Sequence, residues 1–231
     1  LILYHDDCTM IDSSIKNNHR LMLMEPPFYR LYHDQQSFVK YPLPLGYLSS
    51  AVCKNTNWSV QTYNSDFNPN EKKFSPENEY MTGKGFQRYL STLKDSSLPI
   101  WKEVKKAIQE FNPSVLGITL KTQNFTSSTI VAKLAKEINP DIKVIIGGAH
   151  ATMNGDSVFK HKEIDISCIG EGEVTIVELL KAFENDTPLN AVNGIMFRDG
   201  NNKIIKTPPR AYIEDLDSFT HPFTYASKTL K

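Results

Sequence analysis

The feature that most constrains this chain is an alternation of short apolar strands and amphipathic helices, which repeats five times after residue 20. Apolar strands of this kind are typical of a parallel sheet that helices cover on both faces. Five right-handed strand–helix units with the first strand in a central position predict the strand order 2-1-3-4-5. The expected fold is therefore α/β, with a doubly wound five-stranded parallel sheet. The predicted strands are Arg20–Met24, Trp58–Tyr63, Ser114–Leu120, Lys143–Ile146 and Asp165–Ile169.

The rest of the chain is arranged around this unit. Residues 1–19 have no clear period and are interpreted as an N-terminal arm, followed by an α/β domain over residues 20–190. Residues 64–99 hold Asn-Pro, Ser-Pro and Leu-Pro breakers, which indicate an insertion within that domain. Residues 191–231 predict a C-terminal β-hairpin and then a Pro-rich linker, which we expect to lead toward a missing C-terminal domain.

Charge and cysteine content exclude several functional classes. Lys+Arg and Asp+Glu are 26 each, so the formal net charge is zero and favours neither a nucleic-acid partner nor a membrane surface. No apolar run reaches the roughly 18 residues of a membrane span, and no signal peptide is visible. Cys8, Cys53 and Cys168 are far apart, so we expect no disulfide scaffold, no iron–sulfur cluster in this chain, and a cytoplasmic location.

Candidate binding residues follow the strands, because ligands of open parallel sheets bind beyond the carboxyl ends of the strands. Gly147 and Gly148 are consistent either with a ligand lying against bare backbone or with a tight turn. The run Gly170–Glu173 precedes a helix and can offer N–H groups to an anion, although its two glutamates argue against a phosphate. Glu173 also fits the ordinary acidic residue of a first helical turn.

Three polar side chains near these loops also allow two interpretations. His150 lies in a loop before a helix predicted at Gly155–Lys160, where it is either a ligand to a metal or cofactor or an ordinary polar loop residue. Thr119 and Thr122 flank the end of the middle strand. Their hydroxyls either bind the polar tail of a ligand or serve as a strand residue and a capping group.

Several runs, taken in order, resemble the cobalamin (B12)-binding domain found in front of radical S-adenosylmethionine (radical SAM) enzymes. The resemblance covers about residues 20 to 223, and its more specific part is a Gly-Gly-x-His run followed about twenty residues later by Gly-Glu-Gly-Glu. The runs are Leu21–Phe28, Pro42–Leu48, Val144–Thr152, Asp165–Glu173 and Asn193–Arg198. This resemblance implies a Rossmann-like, flavodoxin-like fold that binds cobalamin and positions it for a radical SAM domain.

The resemblance further implies methyl transfer or another radical rearrangement in the full enzyme, whose 4Fe–4S cluster and S-adenosylmethionine this chain does not bind. Related carriers have D-x-H-x-x-G after the first strand, whereas this chain has Glu25–Arg30 there and His33 lacks such surroundings. The implied state is therefore base-off cobalamin without a histidine ligand. Two alternatives stay open: a stand-alone corrinoid carrier or sensor, and an unrelated nucleotide-binding or glycosyl-transfer module.

The residues that the resemblance and the loop positions together assign to cobalamin are of three kinds: apolar floor residues, small slot residues and polar groups. We expect Gly148→Val to abolish corrinoid retention while leaving the fold largely intact, because the new side chain would fill the slot. No catalytic or metal-ligating residue is assigned. The candidates are Phe28, Leu45, Gly46, Thr119, Thr122, Gly147, Gly148, His150, Ala151, Gly170, Glu171, Gly172 and Glu173.

Overall fold

The structure is a computed structural model that describes residues 19–33, 36–38, 41–74, 83–225 and 229. Cys8 and nearly all of the predicted N-terminal arm lie outside these residues. The strands are β1 (Arg20–Glu25), β2 (Ser37–Phe38), β3 (Ser59–Asn64), β4 (Lys73–Phe74), β5 (Val115–Thr119), β6 (Lys143–Gly147), β7 (Ile166–Cys168), β8 (Ile195–Arg198) and β9 (Ile204–Lys206). The helices are α1 (Tyr29–Tyr32), α2 (Leu43–Asn55), α3 (Gly83–Thr92), α4 (Pro99–Phe111), α5 (Phe125–Ile138), α6 (Ala149–Val158) and α7 (Glu173–Glu184).

The main sheet has seven strands in the order β3-β1-β5-β6-β7-β8-β9. Its first five strands are parallel, which confirms the predicted order 2-1-3-4-5. The ends of these strands differ from the sequence prediction by at most one residue. The predicted hairpin forms as β8 and β9, and β8 pairs antiparallel with β7 and so extends the main sheet. A separate two-stranded sheet joins β2 and β4.

Alternation along the strands gives the main sheet two buried faces. One face, called the α4–α5 face, packs mainly against α4 and α5 and carries the side chains of Met22, Leu116, Ile118, Val144 and Ile146. The opposite face, called the α2–α7 face, packs against α2 and α7 and carries the side chains of Leu21, Leu23, Val115, Ile145 and Ile166. Each large apolar side chain buried in this way contributes about 1.5–3 kcal/mol to folding.

A buried polar cluster ties the loops after β1 and β3 together on the side of the α4–α5 face. The Arg30 side chain has no exposed surface and donates to Glu71 at 2.7 Å and Glu103 at 2.8 Å. Burial lowers the pKa of Arg30, but the hydrogen bonds to these glutamates outweigh it and the net pKa is raised. Asp66 accepts the backbone N–H groups of Phe28 at 2.8 Å and Arg30 at 3.1 Å. No local sequence pattern indicates this cluster, because the partners of Arg30 lie far along the chain.

The structure bears on the expectations about cysteine pairing and about membrane-spanning helices. Cys53 in α2 is disulfide-bonded, which the wide spacing of the cysteines did not indicate, whereas Cys168 is free and buried. Within the described ranges, no helix has the length and apolar character needed to cross a membrane.

Candidate functional site

A cavity of about 330 Å³ lies at the carboxyl ends of the central strands, on the α2–α7 face. Its side walls come from Leu45 and Leu48 of α2 and from Ile176 of α7. Leu23, Ile145 and Cys168 contribute from the sheet. Because these side chains are apolar, the cavity favours a largely apolar ligand group over a highly charged one.

The space exists because two adjacent strands carry glycine on this face. The register places Gly117 of β5 opposite Ile145 and Thr119 opposite Gly147 of β6, so the two glycines lie diagonally on one face. A Cβ added at Gly147 would meet only the Cβ of Cys168, at an ordinary 3.5 Å. A Cβ at Gly117 would lie 2.9 Å from Cδ2 of Leu23, the end of a flexible side chain. Side chains at these positions would therefore narrow the cavity without meeting the backbone.

Gly148 differs from Gly147, and this corrects the expectation for Gly148→Val. Gly148 has φ +126°, a conformation that side-chain-bearing residues rarely adopt. A Cβ there would lie 2.6 Å from the carbonyl oxygen of Leu120, which is backbone and cannot turn away. The substitution would therefore strain the backbone rather than only fill the slot, so Gly147 is the position at which a side chain tests the cavity.

The first turn of α6 carries His150, because the helix begins at Ala149 rather than at the predicted Gly155. Nδ1 of His150 lies 3.0 Å from Oγ1 of Thr122, and its ring contacts Phe125 with centroids 5.0 Å apart. Ala151 is fully buried in the α4–α5 face. None of these three candidates, His150, Thr122 and Ala151, lines the cavity.

Two further candidates also lie elsewhere. Phe28 is 3% exposed, packs against Tyr29, Tyr32 and Tyr89 in the core of the α4–α5 face, and is not among the residues that line the cavity. Gly46 lies on α2, where a Cβ would meet the ring of Tyr41 at 2.7 Å, which gives this glycine a packing role. The candidates that the structure does bring together around the cavity are Leu45, Thr119, Gly147, Gly148, Gly170, Glu171, Gly172 and Glu173. Their part in cofactor binding stays a prediction.

Glu171 is already engaged by the chain itself. Its Oε2 accepts the backbone N–H of Ile213 at 2.7 Å. Nearby, Arg210 donates to the hydroxyl of Thr175 at 3.1 Å and pairs with Glu178 of α7. The segment after β9 therefore crosses the start of α7 and occupies one carboxylate oxygen of Glu171.

Sequence reasoning missed several lining residues, among them Gly117, Cys168 and Lys121. Gly117 interrupts a buried apolar strand, a signal of close approach by a ligand or backbone that was available in the sequence. Burial raises the pKa of the Cys168 thiol to about 12, so this side chain is a neutral part of the wall. Lys121 is the basic residue among the described lining residues. Its Nζ lies 2.7 Å from Oε1 of Glu25.

The described residues offer no arrangement for a metal ion held by the protein alone. No group of three or more His, Cys, Asp or Glu side chains comes together in them. The cavity lining includes no histidine in the part of the chain that the structure describes. The apolar part of the lining, from Leu45, Leu48 and Ile176, suits an organic group.

Comparison with known proteins agrees with an organic ligand. Residues 79–180 match the family model of the B12 binding domain. The chain is related to B12-binding domains. The match includes α3 to α6 and most of α7, with Gly117, Gly147 and Gly170 of the cavity. The resemblance inferred from the sequence is therefore confirmed.

Relatives of this chain include an uncharacterized methyltransferase of Pyrococcus horikoshii, 32% identical over 53% of this chain and 27% of its own length. The cobalamin-dependent radical SAM methyltransferase TokK of Streptomyces tokunonensis is 37% identical over 40% of this chain and 14% of its own length. The chain thus spans about a quarter or less of the length of these curated relatives.

A solved structure has a similar fold. It is the radical S-adenosylmethionine methyltransferase TsrM from Kitasatospora setae, with cobalamin and a [4Fe-4S] cluster bound. The likeness has a TM-score of 0.57 at 14% identity and covers 88% of this chain and 31% of TsrM. At this identity the likeness concerns the fold alone, and it agrees with the predicted α/β class.

Proposed function

We propose that this chain binds cobalamin at the carboxyl edge of its sheet, with the nucleotide tail of the cofactor in the cavity between α2 and α7. The observation that carries the proposal is the pair Gly117 and Gly147, whose missing side chains leave an apolar slot in a chain related to B12-binding domains. The planar base at the end of the tail needs such a slot, and the broad corrin ring needs the open edge above it.

The lining fits the chemistry of this group. Leu45 and Ile176 offer apolar walls on either side of the slot. Thr119, at the end of β5, offers a hydroxyl, and Lys121 offers an ammonium group at the mouth, suited to the amide arms and the tail phosphate. When bound, cobalamin supplies a cobalt centre that carries methyl groups or takes part in radical chemistry, while the protein supplies binding and orientation.

We further propose that the cobalt receives no imidazole ligand from this chain. His150 is paired with Thr122 and packed on Phe125, and it does not line the cavity. His33 ends α1 and is 8% exposed, on the side of the α4–α5 face. The bound state would therefore be base-off, with water or no ligand on the lower face.

In the larger protein, we propose that this domain positions cobalamin for a radical SAM domain that performs methyl transfer or a radical rearrangement. The support is the similarity to relatives such as the cobalamin-dependent radical SAM methyltransferase TokK, of which this chain spans only a small part. The 4Fe–4S cluster and S-adenosylmethionine would then belong to that other domain. On this proposal, residues 20–190 hold the cofactor and residues 191–231 lead toward the radical SAM domain.

The test is to mix the purified protein with hydroxocobalamin, desalt it and record the absorption spectrum. We expect about one corrinoid to be retained per chain, and retention of a nucleotide without corrinoid would contradict the proposal. Reduction to cob(II)alamin then tests the ligand by electron paramagnetic resonance. We expect no three-line splitting from an axial nitrogen; such a splitting, lost in His33→Ala or His150→Ala, would identify that histidine as the lower ligand.

A further inference from the structure

One side chain joins the two glycine turns that border the cavity mouth. The hydroxyl of Thr152, in α6, donates to the carbonyl oxygen of Gly148 at 3.1 Å. The same hydroxyl accepts the backbone N–H of Gly170 at 3.0 Å. Gly148 follows β6 and Gly170 follows β7, so Thr152 connects the loops of two neighbouring strands.

The bond to Gly170 matters because it is the contact made by the backbone N–H of a tight glycine turn. Gly170 has φ +81°, and among the described residues no heavy atom lies within 4 Å of the place where its Cβ would be. Its neighbour Ile169 is fixed by donating to the carbonyl of Gly194 at 2.8 Å. The next N–H along the chain, that of Gly170, donates to the Thr152 hydroxyl. Helix α7 begins shortly afterwards, at Glu173.

A purely helical role does not account for this geometry. A threonine in a helix often donates to the carbonyl four residues earlier, and the bond to Gly148 is of that kind. The contact with Gly170 is different, since it spans 18 residues of sequence and leaves the helix. The backbone N–H of Thr152 also donates to Gly148 at 3.0 Å, so the side chain starts from a fixed position.

We propose that Thr152 is a positioning residue that sets the spacing of the Gly148 and Gly170 turns, and so the width of the cavity mouth for cobalamin. This inference rests on the proposed function. Thr152 is not among the residues that line the cavity, and it acts through the two glycine backbones. Its hydroxyl, rather than its size, is the part that the proposal requires.

The test compares Thr152→Val, which keeps the shape but loses the hydroxyl, with Thr152→Ser, which keeps the hydroxyl. Each protein is titrated with hydroxocobalamin by absorption, and exchange of the Gly170 amide hydrogen is measured without the corrinoid. We expect Thr152→Val to bind about tenfold more weakly, as for the loss of one or two hydrogen bonds, and Thr152→Ser to stay within about threefold of the parent. The Gly170 amide should exchange faster only in Thr152→Val.

Two results would overturn the inference: unchanged affinity in Thr152→Val, or a Thr152→Ser protein that binds as weakly as Thr152→Val. Failure of the proposed function is separate, because the parent protein itself would then retain no corrinoid. In that case amide exchange at Gly170 still decides the spacing role. Faster exchange in Thr152→Val with normal exchange in Thr152→Ser supports it, and equal exchange in all three proteins contradicts it.

Discussion

The two faces of the sheet are filled differently along the same two strands. On the α4–α5 face, Leu116, Ile118 and Ile146 are at most 2% exposed and belong to one packed core. On the α2–α7 face, the alternating positions are Gly117 and Gly147, and a cavity takes the place of side chains. Because successive strand residues point to opposite faces, one strand can contribute stability on one side and a binding slot on the other.

The largest effect on the free energy of unfolding is expected for a side chain of the α4–α5 face. Ile146→Ala should lower the free energy of unfolding by about 2–5 kcal/mol, because it removes a fully buried side chain and leaves a void. Urea unfolding followed by circular dichroism measures this loss. Gly147→Ala, one residue further along β6, should change the same quantity far less, since its Cβ finds ordinary contact distance. Equal losses for both variants would contradict the contrast between the faces.

A second effect, on the pH dependence of stability, is expected from the buried carboxyl of Asp66 beside the α4–α5 face. Burial raises the pKa of Asp66 from 3.8 to about 6, although the backbone N–H groups of Arg30 and Phe28 lower it. A raised carboxyl pKa means that the folded state favours the protonated form, so this contribution to stability is lost as the pH rises from about 4 through about 6. The loss amounts to about 3 kcal/mol for a shift of this size.

Asp66→Asn removes that titration while keeping an oxygen that accepts both N–H groups. Between pH 4 and pH 7, the variant should therefore gain stability relative to the parent by about 2–3 kcal/mol. Chemical unfolding at several pH values measures the gain. Parallel pH profiles for the two proteins would show that Asp66 is not the titrating group.

A smaller effect is expected in the slot itself. Gly117→Ala brings a Cβ to 2.9 Å from Cδ2 of Leu23, which can turn aside at a cost of about 1 kcal/mol. The same methyl group narrows the cavity, so affinity for hydroxocobalamin should fall several-fold in an absorption titration. Gly200→Ala in the β8–β9 turn is the matched control, because its Cβ meets nothing within 4 Å. A control that binds as weakly as Gly117→Ala would contradict a local effect.

The sequence was informative where a signal is local. Apolar runs of strand length predicted all five parallel strands and their order, and the Gly-rich ends of β6 and β7 located one edge of the cavity. Sequence analysis failed where the interacting residues lie far apart along the chain. Arg30 is buried because Glu71 and Glu103 lie beside it, and Phe28 joins the core through Tyr89, pairings that no local pattern reveals. For the same reason Thr152 went unnoticed.

The start of α6 was also predicted wrongly, for a different reason. The run Gly147–His150 reads as a turn, yet α6 begins at Ala149 because Gly148 alone completes the reversal with its positive φ. His150 therefore lies in a helix beside Thr122, and not in the ligand-facing loop that the sequence predicted.

The central claim, that cobalamin occupies the α2–α7 face, is tested most directly by titrating Gly147→Val and Ile146→Val with hydroxocobalamin. These neighbours in β6 point to opposite faces. We expect Gly147→Val to bind at least about tenfold more weakly with little loss of stability, since a branched side chain suits a strand but fills the slot. Ile146→Val should lose about 0.5–1.5 kcal/mol of stability and keep the affinity of the parent. Parent-like affinity in Gly147→Val would contradict the claim.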